Sequence, residues 1–109
     1  MNIEEKYLMI IKEEEKAQKN GDYKTINKFY NKKHKLRNEM LLNINNYNLF
    51  FYKLLESNST YVVLDASIAL LKTNQKVALS SLKKLSKQKG LDALTAKMTL
   101  QEWKKGNMK

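Results

Sequence analysis

Leu91-Asp92-Ala93-Leu94-Thr95-Ala96-Lys97-Met98-Thr99-Leu100-Gln101-Glu102-Trp103-Lys104-Lys105-Gly106 reads as one amphipathic helix. Ala93, Ala96, Leu100 and Trp103 follow a 3, 4, 3 spacing, which sets them on one face. The alanines leave room for a neighbouring helix to approach closely, and Trp103 supplies a large apolar plug. Gly106 is a helix stop, and Lys104 and Lys105 suit the negative end of the helix dipole.

The same pattern stands thirty positions earlier. Tyr61-Val62-Val63-Leu64-Asp65-Ala66-Ser67-Ile68-Ala69-Leu70 aligns without gaps to Leu91 through Leu100: Leu64/Leu94, Ala66/Ala96 and Leu70/Leu100 are identical, and Val63/Ala93 and Ile68/Met98 keep apolar character. A repeat of this length is the mark of stacked helix pairs, as in α-solenoids. The chain has 109 residues, no proline and only three glycines, so breakers are few and the composition favours helices. The expected fold is all-α: one domain over 1–109, with about six helices in antiparallel pairs forming a short HEAT/armadillo-like superhelix.

From the N-terminal side, residues 2–20 read as a first helix with Ile3, Tyr7, Ile10, Ile11 and Ala17 as its apolar stripe and Glu13, Glu14 and Glu15 on a solvated face. Asn20-Gly21-Asp22 is a turn, with Gly21 at the left-handed position and Asp22 capping the second helix. That helix is expected over residues 23–42, with Ile26, Phe29, Leu36 and Met40 inward. Four asparagines between Asn43 and Asn48 signal a loop. The helix expected over 47–56 is apolar nearly all round, through Tyr47, Leu49, Phe50, Phe51, Tyr52, Leu54 and Leu55, and is expected to be the most buried. Ser59 or Thr60 caps a fourth helix over 61–72, in which Asp65 lies among apolar neighbours. Asn74 caps a fifth over 75–89, which turns Val77, Ala78, Leu82 and Leu85 inward and Lys76, Ser80, Lys83, Lys84 and Lys87 outward.

The net charge is +10, and it is unevenly spread: residues 1–22 hold six acids and four bases, residues 23–109 five acids and seventeen bases. A basic body attracts anionic partners. Only one of the 21 bases is arginine, however, and lysine lacks the planar fork that reads phosphates and base edges. The charge is therefore read either as a binding feature or as the mark of a lysine-rich composition. On the second helix, Tyr23, Asn27, Tyr30, His34 and Arg37 share a polar-aromatic stripe holding the chain's single histidine and single arginine. That stripe is the candidate partner-binding surface, or else its polar groups bond neighbouring elements while the tyrosines pack. Lys28 and Lys32 on the second helix, with Lys83 and Lys87 on the fifth, are the candidate contacts for an anionic partner.

Catalytic constellations are missing. With one histidine and no cysteine, multi-histidine zinc sites, thiolate chemistry and the His-Glu-x-x-His motif are ruled out. There is no glycine-rich phosphate loop and no nucleophile elbow. Neither an enzyme nor a bound cofactor or metal is expected. No apolar run approaches the ~18 residues of a membrane span, and the acidic N-terminal stretch does not resemble a signal peptide. The reading is a cytoplasmic protein with no membrane partner.

Ala96-Lys97-Met98-Thr99-Leu100-Gln101-Glu102-Trp103-Lys104-Lys105-Gly106 resembles the C-terminal signature of a small bacterial family, the domain of unknown function 2019 family. So do Gly21-Asp22-Tyr23-Lys24-Thr25-Ile26-Asn27-Lys28 and Val63 through Leu70 in their places. The resemblance covers nearly the whole chain. It implies a HEAT/armadillo-like superhelix and structural roles for Asn27, Ala66, Ala96, Trp103 and Gly106; it brings no activity and no catalytic residue. The chain departs from the family pattern at Ser57-Asn58-Ser59-Thr60-Tyr61-Val62-Val63, where members tend to carry a proline or acidic turn and an arginine. By analogy of fold, such proteins resemble immunity proteins or adaptors, which makes a non-enzymatic protein-binding module with an acidic partner the first expectation. The alternative is nucleic-acid binding through the lysine faces of the second and fifth helices. Homo-oligomerisation through the terminal helix is left open.

Overall fold

Each expected helix forms, and side-chain caps mark the starts of most of them, α6 excepted. The computed structural model describes residues 2–106. Among them it holds α1 (Ile3–Lys19), α2 (Tyr23–Met40), α3 (Ile44–Leu54), α4 (Thr60–Leu70), α5 (Gln75–Ser86) and α6 (Leu91–Lys104), and no strand. Asn2 opens α1 through a capping box: its side chain accepts the Glu5 amide at 2.8 Å, and the Glu5 carboxylate accepts the Asn2 amide. Ser59 and Asn74 cap α4 and α5 by accepting the amides of Val62 and Val77, each at 3.2 Å. The chain divides into two compact units, one up to Tyr47 and the other from Asn48.

In the first unit, α1 and α2 pack as a helical hairpin. Gly21, at φ 70°, lets the chain reverse while the amides of Gly21 and Asp22 bond the carbonyls of Gln18 and Ala17. Asp22 then caps α2, taking both the amide and the hydroxyl of Thr25. The Thr25 hydroxyl and then its amide hold the Asp22 carboxyl below the usual carboxylate range. A depressed folded-state pKa gives stability that is complete above the unfolded value, about 3.9, and is lost as pH falls through the folded one. Thr25→Val is therefore expected to raise the Asp22 pKa in a carboxyl-carbon NMR titration; an unchanged midpoint would count against the hydroxyl as the main cause.

The buried face of α1 is Tyr7, Ile11, Glu14 and Ala17. Glu14 is thus not on the solvated face: the 4, 3, 3 spacing continues the Tyr7–Ile11 stripe through it, and it is only 1% exposed. On α2 the buried face is Lys33, Arg37 and Met40, while Ile26, Phe29 and Leu36 stay half-buried. Lys33 Nζ meets Glu14 Oε1 at 2.9 Å, forming the ion pair that allows two charged side chains on inward positions.

The asparagine run is not a loop. Asn43 Oδ1 accepts the Asn46 amide at 3.2 Å, and α3 starts at Ile44, three residues before the expected position. Nor is α3 the most enclosed helix. Tyr47, Phe50 and Phe51 are buried, but Leu49 is 58% exposed. That place belongs to α4, whose residues Leu64 to Ser67, Ala69 and Leu70 are all buried. Its small side chains admit neighbours on more than one side, whereas the bulky residues of α3 encircle it without being enclosed.

In the second unit α5 packs against both α4 and α6, and α4 also meets α6. Ala66, Leu70, Ala78, Leu82 and Ala96 have no accessible surface. Side-chain hydrogen bonds tie the elements together: the Ser67 and Ser81 hydroxyls meet at 2.8 Å, Thr60 Oγ1 donates to Asp92 Oδ2 at 2.6 Å, and Asn74 Nδ2 donates to the Tyr52 hydroxyl at 2.8 Å. The repeat is kept at its centre, where Ala66 and Ala96 are equally buried, and broken at its flank. Leu64 is 6% exposed and its counterpart Leu94 is 53% exposed. The buried stripe of α6 is Ala93, Ala96 and Thr99, and Leu100 and Trp103 are only half-buried. Trp103 thus closes the stripe rather than plugging a core.

Candidate partner-binding surfaces

The polar-aromatic stripe of α2 is split by the fold. Tyr23, Asn27 and Tyr30 are exposed, and His34 is half-buried with its ring 4.3 Å from that of Tyr30. Arg37 is buried: its Nε donates to the Tyr7 hydroxyl at 2.7 Å, and its guanidinium lies 5.8 Å from the Tyr7 ring centroid. Arg37 therefore holds the hairpin together and leaves the candidate surface. The 4, 3, 4, 3 spacing keeps these five residues in line along α2, but α1 covers only the far end of the line. What remains open is a short patch of two tyrosines and an asparagine.

A larger opening lies elsewhere on the same hairpin, between α1 and α2. Its volume is about 400 Å³. Met9, Ile10, Phe29 and Leu36 form its apolar floor, Lys6, Lys32 and Lys35 line it as cations, and Glu13 and Glu39 are its acids. Met9 is 52% exposed, and Lys32 Nζ sits 5.7 Å from the Phe29 ring centroid. A cation over a ring face is attracted by the ring's quadrupole, which holds the ammonium beside the apolar floor. Lys32 is exposed, and so is Lys28 one turn before it. The sequence carried a signal for this groove. α1 has more apolar residues than one stripe can hold, and with Tyr7, Ile11 and Ala17 facing inward, Met9 and Ile10 are left on a second face.

Lys83 and Lys87 are exposed on and just after α5, in the second unit. Beside them, between α4 and α5, is a second groove of about 510 Å³ with a more polar lining that includes Lys76, Ser80 and Lys84. Of the candidate lysines, Lys32 lines the first groove, whereas Lys83 and Lys87 stand next to the lining of the second without being part of it, in the other unit. Among the described residues no group of three or more His, Cys, Asp or Glu stands close enough to hold a metal ion, and no helix is long and apolar enough to cross a membrane. Comparisons of the chain with protein-family models, curated proteins and solved structures gave no match.

Proposed function

We propose that this chain is a non-enzymatic helical-repeat module that binds another protein, and that the α1–α2 groove receives an amphipathic helix with acidic residues beside its apolar stripe. The groove carries this reading: it is open, apolar at the floor and lined by three lysines against two glutamates. Its volume falls within the ~300–1,000 Å³ of ligand pockets. Helix-in-groove recognition needs these features, with anchors at i, i+3 or i+4 and i+7 filling the floor and flanking charges choosing the partner. The chain's net charge of +10 favours an acidic partner over a basic one. The resemblance to the domain of unknown function 2019 family supports a cytoplasmic immunity-type or adaptor role in a bacterium, by analogy of fold.

A designed peptide helix with a leucine stripe and glutamate flanks tests the proposal against the same peptide with lysine flanks. In amide NMR titrations the glutamate peptide is expected to shift Lys6, Met9, Phe29, Lys32 and Leu36. Met9→Glu, a change at a half-exposed position, is expected to weaken binding at least tenfold. Equal binding of the two peptides, or shifts lying away from the groove, would defeat the reading.

A further inference from the structure

The second unit carries an independent feature. From Ala66 to Leu91 the chain has six lysines and no acidic residue. Of the acids that border this span, Asp65 is buried; Asp92 is half-buried and accepts the hydroxyl of Thr60, a groove residue, so one carboxylate stands at that end of the groove against the lysines of α5. Lys76, Ser80, Lys84 and Gln88 recur every fourth residue, so they form one line along and just past α5, and all four border the α4–α5 groove. Lys76 and Lys84 stand two steps apart on that line, about 12 Å along the helix axis. Lys83 and Lys87 form a parallel line beside them, one turn apart.

The groove below this rim is of mixed character. The half-buried Leu55, Val63 and Val77 contribute apolar surface, and the exposed Ser80 contributes a hydroxyl. The Ser81 hydroxyl is turned inward to Ser67. We infer that the α4–α5 groove binds single-stranded nucleic acid, with the lysine lines tracking the phosphates and unpaired bases lying on the apolar floor. Each part of the pattern bears on that choice. A row of cations with no acid among them is the electrostatic footprint of a phosphate backbone. Lysine without arginine suits point-charge tracking rather than base-edge reading, so the binding is indifferent to sequence. An apolar floor is of use to a strand whose bases are free; a duplex keeps its bases stacked inside. Unlike dedicated single-strand binders, the groove has no aromatic platform, so the bases add less than the ~1–3 kcal/mol each that stacking gives, and the phosphates supply most of the affinity.

The test is fluorescence anisotropy with a labelled twelve-nucleotide oligothymidine and a mixed-sequence duplex of the same length, each titrated at several salt concentrations. The strand is expected to bind more tightly than the duplex. Log affinity should fall with log salt at a slope of about −0.7 per phosphate engaged, or about −2 to −3 for three or four contacts. Replacing Lys76, Lys83, Lys84 and Lys87 together by glutamine is expected to flatten that slope and weaken binding at least tenfold. These side chains are exposed, and glutamine keeps helix propensity; circular dichroism confirms that the variant is folded. Replacing Lys12, Lys16, Lys19 and Lys24 of the first unit, likewise four exposed lysines and none of them on the α1–α2 groove, by glutamine is expected to change affinity less than threefold. Equal losses from the two sets of substitutions would reduce the effect to net charge and overturn the inference. So would a preference for the duplex, no binding at low salt, or a polyglutamate that competes as well as an equally charged strand; the last result would assign the face to an acidic protein. None of these outcomes bears on the α1–α2 groove, which is tested with a different ligand.

Discussion

Lys33→Met is expected to lower the stability of the first unit by about 3–5 kcal/mol. Methionine keeps the apolar stem of the lysine and removes its ammonium, so Glu14, 1% exposed, loses the cation 2.9 Å from its Oε1. The penalty comes from a carboxylate held out of water without that partner, rather than from the value of the ion pair itself. The same reasoning gives a second, opposite expectation. Glu14→Leu combined with Lys33→Met removes both charges at similar volume, and the double variant is expected to recover most or all of the loss. Urea denaturation followed by far-UV circular dichroism measures both. Trp103, the single tryptophan, lies on α6, so its fluorescence reports the second unit separately. A Lys33→Met loss below about 1 kcal/mol would mean that the pair is solvated like a surface salt bridge.

This pair also marks where sequence reading stops. Helices, turns and caps are local, and they were legible: Gly21 and Asp22 end α1 and start α2 as expected, and Asn74 caps α5. The inward face of α5, through Ala78, Leu82 and Leu85, also follows its spacing. Which stripe of a helix turns inward was less legible wherever polar residues interrupt it. Glu14 continues the Tyr7–Ile11 stripe, but a carboxylate reads as solvated until a cation nineteen residues away is known to face it. Arg37 fails in the same way: within α2 it extends a polar-aromatic line, and its bond to the Tyr7 hydroxyl lies across the hairpin. In both cases the deciding partner lies across the hairpin, beyond the reach of any local pattern. The α1–α2 groove was half legible for a related reason. The surplus apolar residues of α1 mark a second face, but Ile10, Phe29 and Leu36 read as inward contacts, because periodicity gives direction along one helix and not what stands opposite.

The repeat in the second unit leads to the other large expected effect. Leu64→Ala is expected to cost about 2–5 kcal/mol, whereas Leu94→Ala, at the matching repeat position, is expected to stay within about 0.5 kcal/mol. The side chains are identical and occupy the same helical register, with Ala66 and Ala96 two residues on and fully buried in both copies. The difference is in what covers them: Leu64 is 6% exposed and Leu94 53%. Truncating Leu64 removes apolar burial and leaves a cavity, while truncating Leu94 removes surface that water already reaches. Leu91 and Met98 share the open face of α6 with Leu94, at 48% and 57% exposure. Trp103 fluorescence in urea measures both variants within the same unit. Equal losses would mean that the face formed by Leu91, Leu94 and Met98 is covered in solution, and a midpoint rising with protein concentration would identify the cover as a second copy of the chain. A concentration-independent midpoint with a Leu94→Ala loss near zero would leave α6 with its inner stripe packed on α5 and its outer leucines facing water.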